Sequence, residues 1–419
     1  MRRMLDLATR VTTMLLDAVK ARTRQPETLL TFGITGSEGN SGYSSVMRQV
    51  AVQKLLLEIA KAPRTPGFLD AALRGTGVER KQLEELGLVR RCGNEYVIAF
   101  ALFTREDVQK VRAVAERATD SLVRALVARR SDIDAVLQRY DASGVDPKAV
   151  LYVVLGCFSF DWDGLDLTVE KHYRSLPYVT AGEGRFIPFA EEKSNLSLKG
   201  MYWGSHNSDE GEFRFTSFGD HFSLPRWMFP DLAWLLPIHA ARHLPDSLRL
   251  EVKRALQQAV ESMLHQVGCI MFAVRDHERT LGELAGIAGM ETRHTEDLLS
   301  LLVELEYITR LDDRYGVLAP VLSERDGAMV QALRRVGWEA MEVWLSVNYE
   351  DVKAQLSNLI AVRFGVPYAD VFTQVWHYLF GTANRKLVEC GMFADPYAHS
   401  RRYKGAIPVV WHQSLRDLR

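Results

Sequence analysis

Three observations predict a mainly helical α+β chain made of two related units, with an aromatic-rich β-hairpin inserted between them. A 26-residue segment, residues 86–111, lies without a gap over residues 305–330. Around each copy, runs with helical apolar spacing give way to short β-rich runs separated by turn residues. Finally, residues 151–236 hold 17 of the chain's 40 Phe, Tyr and Trp, where an even spread gives about eight. The boundaries that follow are 1–45 for an N-terminal amphipathic helix and Gly/Ser-rich connector, 46–189 for the first unit, 190–249 for the aromatic insert and 250–419 for the second unit.

The overlay carries five identities: Leu86/Leu305, Arg91/Arg310, Tyr96/Tyr315, Asp107/Asp326 and Val111/Val330. Apolar character repeats as well, with Val89 over Ile308, Ile98 over Val317 and Leu102 over Val321. The same offset sets Pro177-Tyr178 on Pro396-Tyr397, and one residue of drift sets Ile187-Pro188 on Ile407-Pro408. Upstream, Thr65 and Thr280 begin comparable segments, with four extra residues in the second copy.

In the first unit, Val50, Leu55, Leu56 and Ile59 give Val46–Lys61 one apolar face, and Pro63 ends it. Thr65-Pro66 then reads as an N-cap followed by proline at the first helical position. That helix stops near Gly75 and Gly77, and a second short helix runs to Leu86. Two β-rich runs, Leu88–Arg90 and Tyr96–Phe103, flank the turn Arg91–Glu95. The second unit repeats the order. Leu250–Val274 is a long amphipathic helix, and Thr280-Leu-Gly-Glu283 is a capping box opening the next. Thr292–Leu305 supplies the third helix, and Tyr307–Arg310 and Tyr315–Leu318 flank a turn at Asp312-Asp313. Further helices are expected over Arg105–Arg130 and Glu324–Val347, and again from Pro147 and Pro367.

Helix, helix, turn, helix and hairpin is the order of a winged helix-turn-helix. The stretch TLGELAGIAGMETRHTEDLLSLLVELEYITRLDDRYGVL, residues 280–318, resembles the winged helix domains of bacterial transcriptional regulators of the MarR and ArsR kind. The resemblance covers roughly 60 residues per unit and implies a fold, not an activity. Two such units in one chain imply a monomer with internal pseudo-two-fold symmetry, or a homodimer of it.

A winged helix that reads DNA sets its third helix in the major groove and its wing on the backbone. In the first unit these elements offer Arg74, Arg80, Lys81, Gln82, Arg90 and Arg91. Arginine and lysine neutralise phosphate, while arginine and glutamine also pair with base edges. Charge distribution agrees: residues 1–130 carry 22 Lys and Arg against 14 Asp and Glu, although the whole chain has a net charge of −1. The second unit offers Arg293, His294, Arg310 and Arg314, but among seven acids from Glu291 to Asp313. Its reading is a structural or protein-contacting surface.

In the central segment, alternating residues on either side of Asn207–Gly211 predict a hairpin. Tyr202, Trp203, His206, Arg214, Phe215, Phe218, His221 and Trp227 are candidates to line a pocket for a small planar ligand. The competing reading is a packed aromatic core joining the halves. His206, Asp220 and His221 are candidates for an acid/base group.

Other chemistry finds little footing. His239 and His243 share a helical spacing, but Pro237 and Pro245 leave little helix and no metalloprotease glutamate follows. The segment Gly33–Ser45 lacks the Gly-Lys-Ser/Thr ending of a phosphate loop and reads as a flexible connector. No G-x-S-x-G elbow occurs, nor the Gln-x-Gln pattern of tandem winged-helix DNA glycosylases. No cofactor, metal or catalytic residue is therefore expected. Four scattered cysteines without a CxxC pair, and Asp6 and Asp17 interrupting the first apolar stretch, point to a cytoplasmic protein that does not enter a membrane. The reading these observations favour is a DNA-binding transcriptional regulator, sensing a small molecule through its aromatic centre. A winged-helix protein-interaction scaffold comes second, and a nucleic-acid-processing hydrolase third.

Overall fold

Several helical segments begin where the sequence supplies an oxygen to cap them. Thr65 accepts from the Phe68 amide, with Pro66 next in the chain. Thr104, Thr280 and Ser323 each pair reciprocally with an acid three residues on, Asp107, Glu283 and Asp326. The computed structural model describes residues 29–172, 178–193, 202, 204–220, 262–399, 405–416 and 418. It is mainly helical α+β. No helix among the described residues is long and apolar enough to cross a membrane.

In chain order, β1 (Leu30–Ser37) precedes α1 (Tyr43–Met47), α2 (Val50–Lys61), α3 (Pro66–Leu73) and α4 (Arg80–Glu85). The hairpin of β2 (Val89–Cys92) and β3 (Glu95–Ile98) leads to β4 (Ala101–Phe103). Three helices follow, α5 (Arg105–Ala118), α6 (Asp120–Ala128) and α7 (Arg130–Leu137). A continuous helical rod then runs through α8 (Pro147–Leu151), a π-helical stretch Tyr152–Asp163, and α9 (Gly164–His172). After it come β5 (Val179–Ala181), β6 (Gly184–Glu192), β7 (Ser205–Glu210) and β8 (Phe213–Gly219).

A helix over 262–276, α10, opens the second half. It leads to β9 (Arg279–Thr280), α11 (Leu281–Ala288), α12 (Thr292–Glu304), and the hairpin β10 (Ile308–Leu311) and β11 (Arg314–Val317). Then β12 (Val321–Leu322), α13 (Gly327–Gln355), α14 (Ile360–Arg363), α15 (Tyr368–Glu389) and β13 (Ala406–His412) complete the chain.

Two four-stranded sheets share one pattern of pairing. In the first, β4 runs parallel to β6 with Leu102 opposite Ala190, and β1 runs antiparallel with Ile34 opposite Pro188. In the second, β12 runs parallel to β13 with Val321 opposite Val410, and β8 runs antiparallel with Ser217 opposite Pro408. Between the sheets, the helical rod and α15 cross with Gly156 against Asn384 and Gly164 against Trp376. A Cβ on Gly164 would stand 2.6 Å from the Trp376 indole nitrogen. That nitrogen donates to the Phe160 carbonyl at 2.8 Å, so the ring has no freedom to yield. Within Tyr152–Asp163 every residue except Trp162 is buried.

Several boundaries differ from the sequence expectation. Residues 33–37 of the expected connector form β1, because Gly33 makes room for the Phe189 ring, whose nearest atom would lie 2.5 Å from an added Cβ. The central hairpin turns at Gly211, at φ 57°, rather than over Asn207–Gly211. Asn207 stays in the ladder, accepting from Thr216 at 2.7 Å, because β7 is an edge strand and tolerates polar residues that read as a turn. The insert is also not a separate layer, since β8 pairs with β13 along its whole length. The amphipathic stretch 1–24, residues 250–261, and His239 and His243 lie outside the described residues.

The buried polar anchor of this core is Arg334. It donates to both oxygens of Asp163, at 2.8 and 2.6 Å, and to the carbonyls of Leu415 and Arg416. Replacing Asp163 with leucine strands that guanidinium, and stability falls by about 3–5 kcal/mol in urea denaturation. Adding Arg334→Met recovers most of the loss. A single-variant cost below about 1 kcal/mol would exclude the anchoring role.

Candidate functional site

The expected winged-helix head of the first unit falls on α3, α4 and the β2–β3 hairpin, and its turn is built locally. Thr76 donates to the Leu73 carbonyl at 2.7 Å and accepts from the Val78 amide at 3.0 Å. This positions the six-residue α4, held to the core by buried Leu83. Arg80 donates to both oxygens of Asp70, at 3.0 and 2.9 Å, and lies over the Tyr96 ring at 5.5 Å. Lys81 meets Glu85 at 3.1 Å with its side chain 81% exposed, so the ion pair leaves the ammonium in water. Gln82 is half-buried, and Arg74 stands exposed at the end of α3.

The two wing arginines differ in role. Arg90 reaches across the molecule and donates to the Phe364 carbonyl at 2.6 Å. Arg91 donates to the Gly93 carbonyl of its own turn at 2.9 Å and is exposed. The surface thus presents Arg74, Lys81, Arg90 and Arg91 to solvent, Arg90 with one nitrogen held by the Phe364 carbonyl, while half-buried Arg80 is paired with Asp70. Beside α4 lies a cleft of about 590 Å³. Lys81, Gln82 and Glu85 line one wall, and Asn40, Ser41 and Thr180 the other.

The second head has the same wing chemistry. Arg310 donates to the Asp312 carbonyl at 3.1 Å and lies over Tyr315 at 5.7 Å. Gly87 and Glu306 both adopt positive φ, at 66° and 54°, as do Gly93 and Asp312 at 63° and 55°. Its surface is more acidic, however, whereas the first head balances its five bases with the exposed acids Asp70, Glu79, Glu84, Glu85 and Glu95. Glu296, Asp297, Glu304, Asp312 and Asp313 are exposed beside Arg293, Arg310 and Arg314, while His294 is half-buried and 3.7 Å from Glu291.

The candidate ligand residues of the central segment divide. Phe215 and Phe218 are fully buried, and Phe218 packs against Tyr152 with ring centroids 5.2 Å apart, so these two rings are core. Tyr202 is buried at a strained φ of 41°, while His206 and Arg214 are half-buried. Trp203, His221 and Trp227 lie outside the described residues. Asp220 is fully buried and accepts from the Tyr397 hydroxyl. The ladder sets His206 opposite Ser217, which leaves Asp220 three residues further along, roughly 10 Å of strand. No group of three or more His, Cys, Asp or Glu among the described residues could hold a metal ion.

One polar cluster escaped the sequence reading. Asp161, in the π-helical stretch, accepts from the Ser205 hydroxyl at 3.3 Å on one oxygen. Its other oxygen lies 3.9 Å from Nε2 of His377 on α15. Burial pushes the Asp161 carboxyl up to about 7 and the His377 imidazole down to about 4. The available signal was a pair of aspartates, Asp161 and Asp163, at the end of an otherwise apolar run.

With the fold and these surfaces in view, no protein family, curated protein or solved structure matches the chain. Function therefore rests on local geometry. The contrast between the wing arginines is directly measurable. Arg90→Ala removes a cross-molecule bond and lowers stability by about 1 kcal/mol, whereas Arg91→Ala changes it by less than about 0.5 kcal/mol. Equal effects in thermal or urea unfolding would show that the two positions do not differ.

Proposed function

We propose that the chain is a DNA-binding transcriptional regulator built from a duplicated winged-helix unit, with the first head facing the duplex. The observation that carries this reading is the outward presentation of Arg74, Lys81 and Arg91 by the third-helix and wing region of that head. Support for duplication comes from position-by-position agreement. The Arg91-to-Gly93 and Arg310-to-Asp312 bonds, the pairings of Arg64 and Arg279 with Tyr96 and Tyr315, and the Asp107 and Asp326 capping boxes all correspond. Four free cysteines fit a reducing, cytoplasmic setting. Effector sensing by the central segment would fall to Tyr202, His206 and Arg214 together with Trp203, His221 and Trp227, since Phe215 and Phe218 are packing groups.

A second reading is a protein-interaction scaffold without duplex affinity. It is favoured by the second head, where Ile287 and Leu311 are 44% and 49% exposed among acids that repel phosphate.

Fluorescence anisotropy with random-sequence duplex DNA over a salt series separates the two readings. The wild type binds in the micromolar range at low salt and weakens steeply as salt rises. Arg74→Glu/Lys81→Glu/Arg91→Glu loses about tenfold or more and flattens the salt slope by about one unit per lost phosphate contact. Arg90 is left in place because its role is structural. A folded wild type that fails to bind at low salt would remove the regulator reading in favour of the scaffold.

A further inference from the structure

Each head is braced by a segment of the opposite half. On the second head, the Tyr140 hydroxyl donates to the Val321 carbonyl at 3.1 Å. Beside it Asp141 lies 3.1 Å from Arg275, so the charge this brace brings is answered inside the protein. The first head is held by residues 359–366. Leu359, Ala361 and Val366 are buried, and Ile360 and Phe364 pack against the core that contains Leu83 of α4 and Val89 and Ile98 of the β2–β3 hairpin. The Ile360 amide donates to Asp107 at 3.4 Å, and the Phe364 carbonyl accepts from Arg90 at 2.6 Å. Between these anchors stands Arg363, the last residue of α14, and it is exposed.

What sets Arg363 apart from any solvated arginine is its place. Its side chain has no ion-pair or hydrogen-bond partner among the described residues, and neither Arg90 nor Arg91 has a carboxylate partner there. Glu95 and Glu106, exposed acids of the same region, pair with none of the three. Successive residues of a strand point to opposite faces. Arg91 stands opposite Tyr96, over whose ring Arg80 lies, so Arg91 is on the α4 side of the wing. Arg90 takes the other face, where it meets Phe364, the residue next to Arg363.

We propose that Arg363, supplied by the second half, contacts the phosphate backbone of a DNA duplex held by the first head. The inference rests on the reading of that head as the DNA-facing one. A duplex carries one negative charge per about 1.7 Å of its axis, so a wing laid on it has phosphates along either face. Arg91 serves one face and Arg363 the other, while Arg90 ties the wing to the segment that carries Arg363. Because Ile360 and Phe364 are packed into the head, the cation is held in place before the duplex arrives.

Fluorescence anisotropy of the full chain with random-sequence duplex over a salt series tests this, with Arg293→Glu on the exposed surface of the second head as the charge control. Arg363→Glu weakens binding about threefold or more and lowers the salt slope by about one, uniformly across sequences. Arg363→Gln lowers the slope likewise without adding a negative charge, so the result does not hinge on one variant folding. Arg363→Lys and Arg293→Glu stay within about twofold of wild type, the first because neutralising a phosphate needs only the charge. Thermal unfolding of the Arg363 variants matches wild type, since the side chain is exposed. If Arg74→Glu/Lys81→Glu/Arg91→Glu loses affinity while Arg363→Glu and Arg363→Gln keep affinity and slope, this proposal falls and the regulator reading stands. An equal loss in Arg293→Glu would mark an effect of net charge alone and would also overturn it. A folded wild type without duplex affinity removes both.

Discussion

The crossing of the helical rod with α15 is the constraint on which the rest depends. At two reciprocal points a glycine on the rod lets a large or polar side chain of α15 approach the backbone, Gly156 for Asn384 and Gly164 for Trp376. Gly337 on α13 does the same for Ser159, whose hydroxyl would lie 2.1 Å from an added Cβ. Three helices thus meet closely enough that a Cβ at any of these glycines would crowd a side chain of the neighbouring helix. Because β4 and β6 are separated in sequence by the rod, and β12 and β13 by α13 and α15, the crossing fixes where each sheet closes. The heads are braced in turn from the opposite half, through Arg90 on the Phe364 carbonyl and Tyr140 on Val321.

Close approach explains why the interior is polar as well as tight. Helices brought so near bury their own polar side chains, and each must find a partner inside the protein. Arg334 with Asp163, Gln374 with Glu191, and Ser205 with Asp161 are those partnerships. The π-helical geometry of Tyr152–Asp163 is consistent with this. Its wider turn spreads side chains around the axis, so nearly the whole stretch is buried rather than one stripe.

What was legible in the sequence is what depends on neighbours along the chain. The Thr280–Glu283 capping box, the Thr65-Pro66 start and the wing turns at Gly93 and Asp312 all follow from local hydrogen bonding, and the elements begin or turn there. What was not legible depends on distant residues. Gly33 and Gly36 read as flexibility until Phe189 and the Arg185 carbonyl fill the space a Cβ would need. Asn207–Asp209 read as a turn until Thr216 and its neighbours pair with them. The proposed DNA contacts could not be divided from the sequence, since only Phe364, 274 residues away, gives exposed Arg90 a cross-chain partner that Arg91 does not share.

On the reading of a duplicated unit, the two heads share their hydrogen bonds but not their surfaces. Backbone positions that need positive φ are glycine in the first head, Gly87 and Gly93, and Glu306 and Asp312 in the second. A non-glycine residue there costs on the order of 1 kcal/mol of backbone strain, so these acids carry a penalty that glycine avoids. The same residues raise the negative charge of the second wing, where the first presents Arg91 beside Gly93. A phosphate backbone approaching both heads alike would meet stronger repulsion at the second, where acids outnumber arginines, than at the first, where the two are balanced. On the proposed reading, the likeness of the two heads would not extend to recognition: a duplex would be held from the first head alone, and the second would brace the fold or meet a different kind of partner.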